Sequence, residues 1–229
     1  MIDVSILIVH YNTPGLLRQT LKAIRRAAPK VSYEVIVVDN NPNSRVYEKI
    51  AKEFHEVKVI VGEENIGFGR GMNVAMKQAQ GRYQLIYNPD IMLAPGALET
   101  MVAYMDAHPE IGILGPRLNN PDGSLQHSCY RFMRPRTIFY RRLPFLRVFK
   151  KAKDDVRDYL MADADHTQIQ PVDYILGAAM LVRKEALDQV GGFDPGFFMY
   201  FEDQDLCRRF WEQGWRVIYF PEVTFIHYH

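Results

Sequence analysis

"VSILIVHYN", residues 4–12, decides the architecture: a six-residue, largely apolar run from Val4 to Val9 ends in a cluster of polar side chains. So short a run reads as a buried strand, and because no basic leader precedes it, not as a signal peptide. "NTPG" then turns the chain into a helix over Leu16–Ala27, with Leu17, Leu21 and Ile24 at helical spacing. The alternation repeats. Val35–Val38, Val57–Val61 and Tyr83–Tyr87 read as the next three strands. A helix follows the polar turn "DNNPNSR", another is expected from about Met72 to Gln80, and Pro95 is placed in the first turn of a helix running to His108. Strand and helix in regular alternation are stacked βαβ units, so the fold class is α/β with a mostly parallel sheet and helices on both faces.

After Gly112 the pattern changes. "NNPDGSL" is a strong turn signal between extended runs, which adds antiparallel strands to the sheet. Regular structure resumes with strands around "VDYI" and "MLVRK", a short helix to Val190, a "GGFDPG" turn, a helix from about Glu202 to Gln213, and a strand over Arg216–Phe220. There is no internal repeat or low-complexity linker. The 229 residues suit one sizeable domain: residues 1–110 are expected to bind nucleotide, and residues 111–229 to bind the acceptor and carry the catalysis.

A net charge of +1 argues against a nucleic-acid-coating surface. The basic charge is local, because residues 131–153 hold nine Lys or Arg and no acid, with Phe132, Phe139, Tyr140, Phe145 and Phe149 interleaved. Its bland reading is an inserted subdomain whose aromatics are core residues and whose charges are a solvated face; its functional reading is contact with an anionic membrane leaflet. No apolar stretch approaches the roughly 20 residues of a spanning helix, so any membrane contact is expected to be peripheral. Cys129 and Cys207 lack disulfide or zinc spacing and are read as reduced thiols of a cytoplasmic protein.

In open α/β sheets, ligands bind beyond the carboxyl ends of parallel strands. Four loops qualify here: "HYN" (His10–Asn12), "DNN" (Asp39–Asn41), "ENIGFGRGMN" (Glu64–Asn73) and "NPD" (Asn88–Asp90). Gly67, Gly69 and Gly71 are spaced GxGxG after the third strand, which is neither the spacing nor the place of a dinucleotide fingerprint. "NPD" is a turn signal, yet a carboxylate at that strand end would face the crevice and suit a hard divalent cation. Asp39 has the same two readings, local backbone bonding or ligand contact. His227 and His229 alternate on a strand, a surface accident or a pair of metal ligands.

"FFMYFEDQDLCRR", residues 197–209, carries the sharpest question. Leu206, Cys207 and Phe210 mark the buried stripe of its helix. Asp205 is accounted for by an i,i+4 pair with Arg209. Glu202 and Asp203 overhang the apolar face. One acid would cap the helix; two beside an aromatic cluster suggest a partly desolvated carboxylate suited to general-base work.

The segments "VSILIVHYN", "EVIVVDNN", "ENIGFGRGMN", "YNPDIML", "YILGAAMLVRKEAL", "VGGFDPGFFMYFEDQDLCRR" and "VTFIH", in this order, resemble the inverting family-two glycosyltransferases of the GT-A fold, nearest the rhamnosyltransferase-like subgroup. The resemblance implies a nucleoside-diphosphate sugar of TDP or UDP type as donor and a glycan or lipid-linked acceptor, in bacterial cell-surface polysaccharide synthesis. It implies donor contacts from Tyr11, Asn12, Asp39, Asn65, Gly67, Asn73 and Asn88. It implies an acceptor-side Gly177, a divalent metal (Mn2+ or Mg2+) held by Asp90 and His227, and Asp203 as general base with Glu202 as neighbour. Asn88 replaces the first Asp of the family's DXD motif, leaving fewer charges for the metal. The chain stops at His229 where many family members continue, so part of the acceptor surface is expected beyond it. Two rivals remain at this stage: a nucleotidyltransferase, which should carry a basic glycine loop where "HYNTPG" has no Lys or Arg, and a catalytically silent nucleotide-sugar-binding module.

Overall fold

The computed structural model describes residues 1–143, 145 and 148–228. The first half is β1 (Val4–His10), α1 (Pro14–Ala27), β2 (Tyr33–Asp39), α2 (Val46–Glu53), β3 (Val57–Val61), α3 (Phe68–Gln78), β4 (Tyr83–Tyr87), β5 (Ile91–Met92) and α4 (Ala97–Ala107). The second is β6 (Ile111–Asn119), β7 (Leu125–Gln126), β8 (Cys129–Tyr130), α5 (Pro135–Arg142), α6 (Lys150–Tyr159), β9 (Gln170–Pro171), β10 (Tyr174–Ile175), β11 (Ala179–Arg183), α7 (Lys184–Val190), α8 (Glu202–Glu212) and β12 (Arg216–His227).

The main sheet runs β3-β2-β1-β4-β11-β6-β12-β5. β1, β2, β3 and β4 pair in parallel, β11 runs antiparallel to both β4 and β6, and β12 returns parallel to β6. The sheet is therefore continuous across residue 110. β1 is buried along its whole length because both faces are covered. Ile6 and Ile8 pack toward Leu17, Leu21 and Ile24 of α1, while Leu7 and Val9 face Met72 and Ala75 of α3. A two-sided strand of this kind reads as an unbroken apolar run, which is why its sequence is so legible.

Three expectations about elements need correction. α3 begins at Phe68, not near Met72, because Gly67 at φ +84° turns the chain directly into the helix. Gly69 and Gly71 sit inside its first turns, where a Cβ would stand 3.1 Å from Phe193 Cβ and 3.1 Å from Val9 Cγ1, respectively. They are small because the helix lies close to its neighbours. Pro95 lies outside α4, since Gly96 at φ +77° intervenes before the first helical residue. The last strand does not stop at Phe220: a register shift between Phe220 and Thr224 carries it past Pro221, which has no N–H to give the ladder, and pairing with β6 resumes to Ile226.

α5 and α6 pack on each other in the basic segment. Its charge is less free than the sequence suggests, since Arg131, Arg134 and Arg136 pair with Asp173, Asp158 and Asp155 at 3.2, 3.7 and 2.6 Å. Arg141, Arg142, Lys150, Lys151 and Lys153 have no such carboxylate among the described residues. Phe139, Phe145 and Phe149 are exposed at 63%, 67% and 64%, so these three are not core residues. Arg147 of this segment and His229 lie outside the described residues. Both cysteines are free and buried. Among the described residues no helix is long and apolar enough to cross a membrane.

Candidate active site

The carboxyl ends of β1, β2 and β3 gather the first group of candidates. Asp39 is fully buried, and both of its oxygens are engaged: Oδ1 accepts from His10 Nδ1 (3.0 Å) and Asn41 N (3.1 Å), and Oδ2 accepts from Ser44 Oγ (2.5 Å). Thr13 N donates to His10 Nε2 at 3.0 Å, so the ring carries its proton on Nδ1, toward Asp39. Asp39 thus shapes the loop, through one local backbone N–H (Asn41) and two side chains (His10 and Ser44), so local backbone bonding is only part of its role. The atoms open to a ligand here belong to Tyr11 and Asn12, both exposed; Asn12 Oδ1 accepts from Asn41 Nδ2 at 2.5 Å. Next to them Asn65 Oδ1 accepts from Gly67 N (3.1 Å), and Asn40 Nδ2 donates to Gly67 O (3.0 Å).

Gly67 also joins this edge to the second group. Phe68 N donates to Phe198 O at 3.3 Å, and a Cβ on Gly67 would stand 2.4 Å from that same oxygen. The loop after β3 and the aromatic segment before α8 therefore meet backbone to backbone, a contact that only glycine permits at this φ.

The second group shares one crevice of about 640 Å³, lined by Asn88, Gly177, Glu202, Asp203 and His227 together with Phe68 and Met199. α8 positions the two acids. Asp203 Oδ1 accepts from Gln204 N (2.8 Å), satisfying one of the unpaired donors of the first helical turn, and Oδ2 accepts from Gly177 N (3.0 Å). A carboxylate offers about four lone-pair sites, so two stay available. Burial pushes the Asp203 carboxyl above its ordinary range, opposed by the N–H groups of Gly177 and Gln204. Glu202 is 8% exposed and is pushed up by burial and by the Asp203 charge; its Oε2 has no hydrogen-bond partner. Asp205 and Arg209 form the i,i+4 pair at 2.9 Å, as their spacing predicts.

The aromatic stretch before the acids is not the shell that buries them. Phe198, Met199 and Tyr200 are more than half exposed and Phe201 nearly half, and Tyr200 and Phe201 both take φ +70°. They form a lip on the crevice mouth. The inner wall comes instead from Tyr130, Tyr159 and Tyr174, which sequence reasoning missed because they are far apart in the chain and share no spacing.

"NPD" is both a turn and a presenting device. Thr20 Oγ1 donates to Pro89 O (2.7 Å), Tyr87 Oη donates to Ile91 O (3.0 Å), and Asn88 N donates to Ala178 O (2.9 Å), so the turn is fastened on three sides. Asp90 Oδ1 then stands 3.2 Å from His227 Nε2. His227 Nδ1 lies 2.9 Å from Gln126 Oε1, so the two ring nitrogens face an amide oxygen and a carboxylate oxygen. A His–carboxylate pair with an outer hydrogen bond on the histidine is a donor set that suits a divalent metal. Among the described residues no third His, Cys, Asp or Glu joins them.

Asn73 is the one candidate that the structure does not bring to either group. Its Nδ2 donates to Phe193 O (2.7 Å) and its Oδ1 accepts from Phe193 N (2.8 Å), bracketing the "GGFDPG" turn. The side chain lines a separate groove with Arg70, Lys77 and Lys184.

Residues 5–191 match the family model described as "Glycosyl transferase family 2", and residues 160–229 match the one described as "N-terminal domain of galactosyltransferase". An N-acetylglucosaminyl-diphospho-decaprenol L-rhamnosyltransferase of Mycobacterium tuberculosis is 25% identical over 249 residues, covering 100% of this chain and 77% of the relative. Rhamnosyltransferase WbbL of Escherichia coli K12 is 28% identical over 232 residues, covering 98% of this chain and 83% of the relative. The crystal structure of GalNAc-T7 with UDP, GalNAc and Mn2+ superimposes with a TM-score of 0.70 at 15% identity, covering 100% of this chain. The chain spans only 44% of that structure, and at such identity the likeness shows the fold alone, the GT-A arrangement.

Proposed function

Because the chain belongs to glycosyl transferase family 2, we propose that its crevice moves a sugar, with inversion, from a nucleoside diphosphate of TDP or UDP type to a hydroxyl of a glycan or lipid-linked acceptor. The names of two relatives support rhamnose as the sugar and the bacterial cell surface as the destination. The observation that carries the reading is Asp203, a carboxylate in a crevice, pushed up by burial, with two N–H groups fixing its direction.

Asp203 takes the proton of the acceptor hydroxyl as that oxygen forms its bond to the anomeric carbon, and the bond from that carbon to the diphosphate oxygen breaks. Glu202 Oε2 is offered to a second acceptor hydroxyl. Tyr11, Asn12, Asn65 and Gly67 hold the nucleoside at the edge of β1 and β3, over a loop shaped by Asp39, and Asn88 faces the diphosphate. Asp90 and His227 would hold a divalent cation, Mn2+ or Mg2+. What such an ion supplies when bound is positive charge against the departing diphosphate.

The exposed Phe139, Phe145 and Phe149, with Arg142, Lys150, Lys151 and Lys153, rest on an anionic leaflet in this reading, each cation contributing about 1 kcal/mol near the surface. The enzyme is then cytoplasmic, peripheral on the inner face of the plasma membrane. Equal flotation with neutral and acidic liposomes would remove this part of the proposal. For the chemistry, Asp203→Asn should melt like wild type and lose about 10²- to 10⁴-fold in transfer rate. Turnover near wild type would take Asp203 out of the role.

A further inference from the structure

Glu34 of β2, Ser5 of β1 and Gln84 of β4 stand side by side in the parallel register, a polar row on a sheet face where the next residues, Ile36, Leu7 and Ile86, are apolar and buried. Two members of the row satisfy each other and the loop before β4. Ser5 Oγ donates to Glu34 Oε1 (2.6 Å) and accepts from Gly81 N (2.8 Å), and Glu34 Oε1 also accepts from Gln80 N (2.7 Å). Gln84 is 2% exposed, yet its Oε1 has no hydrogen-bond partner. A buried amide oxygen left in that state is costly, and an apolar side chain of the same length would avoid the cost. The packing of the sheet gives no reason for glutamine here.

Gln84 lines a groove of about 660 Å³ between α3 and α7 that shares no lining residue with the crevice. It lies near the amino end of β4, opposite to the end that leads into the Asn88–Asp90 turn. The α3 wall carries Arg70, Asn73 and Lys77, spaced i, i+3 and i+7 and therefore on one helical face. Arg70 Nε donates to Pro195 O at 2.8 Å, which fixes the guanidinium and leaves its other donors free of that bond. Arg70 sits in the first turn of α3, where a cation opposes the helix dipole, so helix stability does not account for it. Neither Arg70 nor Lys77 has a carboxylate within ion-pairing distance among the described residues, whereas Lys184 on the α7 wall is paired with Asp188 at 2.5 Å. Val74, Met76 and Leu187 add apolar surface.

We infer that this groove is a second ligand site and that it takes a small sugar phosphate. Arg70 and Lys77 take the phosphate. A sugar hydroxyl both donates and accepts, so it satisfies the Gln84 amide, and the Asp188 carboxylate accepts from another. The volume falls within the roughly 300–1,000 Å³ of small-molecule sites. No aromatic ring lines the groove among the described residues, so nothing there offers a nucleotide base the stacking that it favours.

The test follows amide chemical shifts of isotope-labelled protein with three probes: glucose 1-phosphate, glucose and inorganic phosphate. At ~10 mM, about ten times a Kd near 1 mM, glucose 1-phosphate should shift Val74, Lys77, Asp188 and Gly192, with a Kd about 10-fold or more below those of the other two. Lys77→Gln should raise that Kd roughly 10- to 100-fold and Gln84→Met about 3- to 10-fold. Asp203→Asn should leave it unchanged. Because Gln84→Met removes an unsatisfied buried group, it should also melt about 2–4 °C above wild type.

No groove shifts with glucose 1-phosphate, shifts confined to crevice residues such as Gly177 and Glu202, or an equal Kd for glucose or phosphate would overturn the inference. So would a Gln84→Met protein that melts well below wild type, since the fold itself would then be using the amide. None of these readouts involves sugar transfer, so their outcome is independent of the function proposed for the crevice.

Discussion

Replacing Asn73 by alanine separates two roles that family resemblance and structure assign differently. As a donor contact its loss would weaken nucleotide binding; as a bracket its loss would loosen the turn before α8. The bracket consists of two side-chain to backbone hydrogen bonds, 2.7 and 2.8 Å long, on the N–H and C=O of the buried Phe193. Each is worth about 1 kcal/mol net, so Asn73→Ala should cost about 2 kcal/mol, and a domain of this size then melts roughly 4–8 °C lower. Gly192 supplies an internal control. A Cβ there would stand 2.3 Å from Asn73 Oδ1, so Gly192→Ala should destabilise wild type clearly and the Asn73→Ala protein much less. Thermal and denaturant unfolding of the four proteins of this cycle measure the coupling, and donor KM is read alongside. An unchanged melting temperature with a raised donor KM would refute the bracket and return Asn73 to the nucleotide site.

Glu202→Gln tests the buried carboxyl through pH. Glu202 is held above its ordinary range in the folded state, so the stability it contributes is fully present below the unfolded carboxyl's range and is lost as pH rises through the raised folded value. Glu202→Gln should therefore be stabilised relative to wild type at pH 8 and lose that advantage as pH falls toward 4; a difference in unfolding free energy that stays flat with pH would sink the assignment. Gly67→Ala forces a Cβ against Phe198 O at φ +84° and should cost about 1–3 kcal/mol while lowering kcat/KM, because the lip of the crevice must move. Wild-type melting and kinetics in that variant would show the contact to be dispensable.

The parallel half of the sheet was legible because strands buried on both faces, β1 and β4, leave continuous apolar runs; β3, at the sheet edge and only part-buried, also falls on the residues that its sequence indicates. Asn88 and Asp90 stood out because a strand end carries them, and Asp203 because it opens the helix α8; the structure places Asn88 and Asp203 on the crevice and Asp90 beside His227. α3 was misplaced because glycines in sequence signal turns, whereas Gly69 and Gly71 serve close packing inside a helix. The tyrosine wall left no trace, since Tyr130, Tyr159 and Tyr174 meet only after the chain has folded back through α6 and β10. The aromatic lip misled for a different reason. An apolar run beside acids suggests burial, yet Tyr200 and Phe201 adopt left-handed backbone and turn outward.

β12 follows every other named strand in the sequence, yet it lies inside the sheet between β6 and β5, and His227 stands at its tip beside Asp90. During synthesis β6 therefore waits with one open edge until β12 arrives, the kind of edge that invites pairing with another chain. The Asp90–His227 pair is assembled by the same event. A nascent or partly unfolded chain has the β1–β3 edge early but lacks the Asp90–His227 pair, so under the proposed function nucleotide engagement and competence for transfer would be separated in time by the docking of one strand.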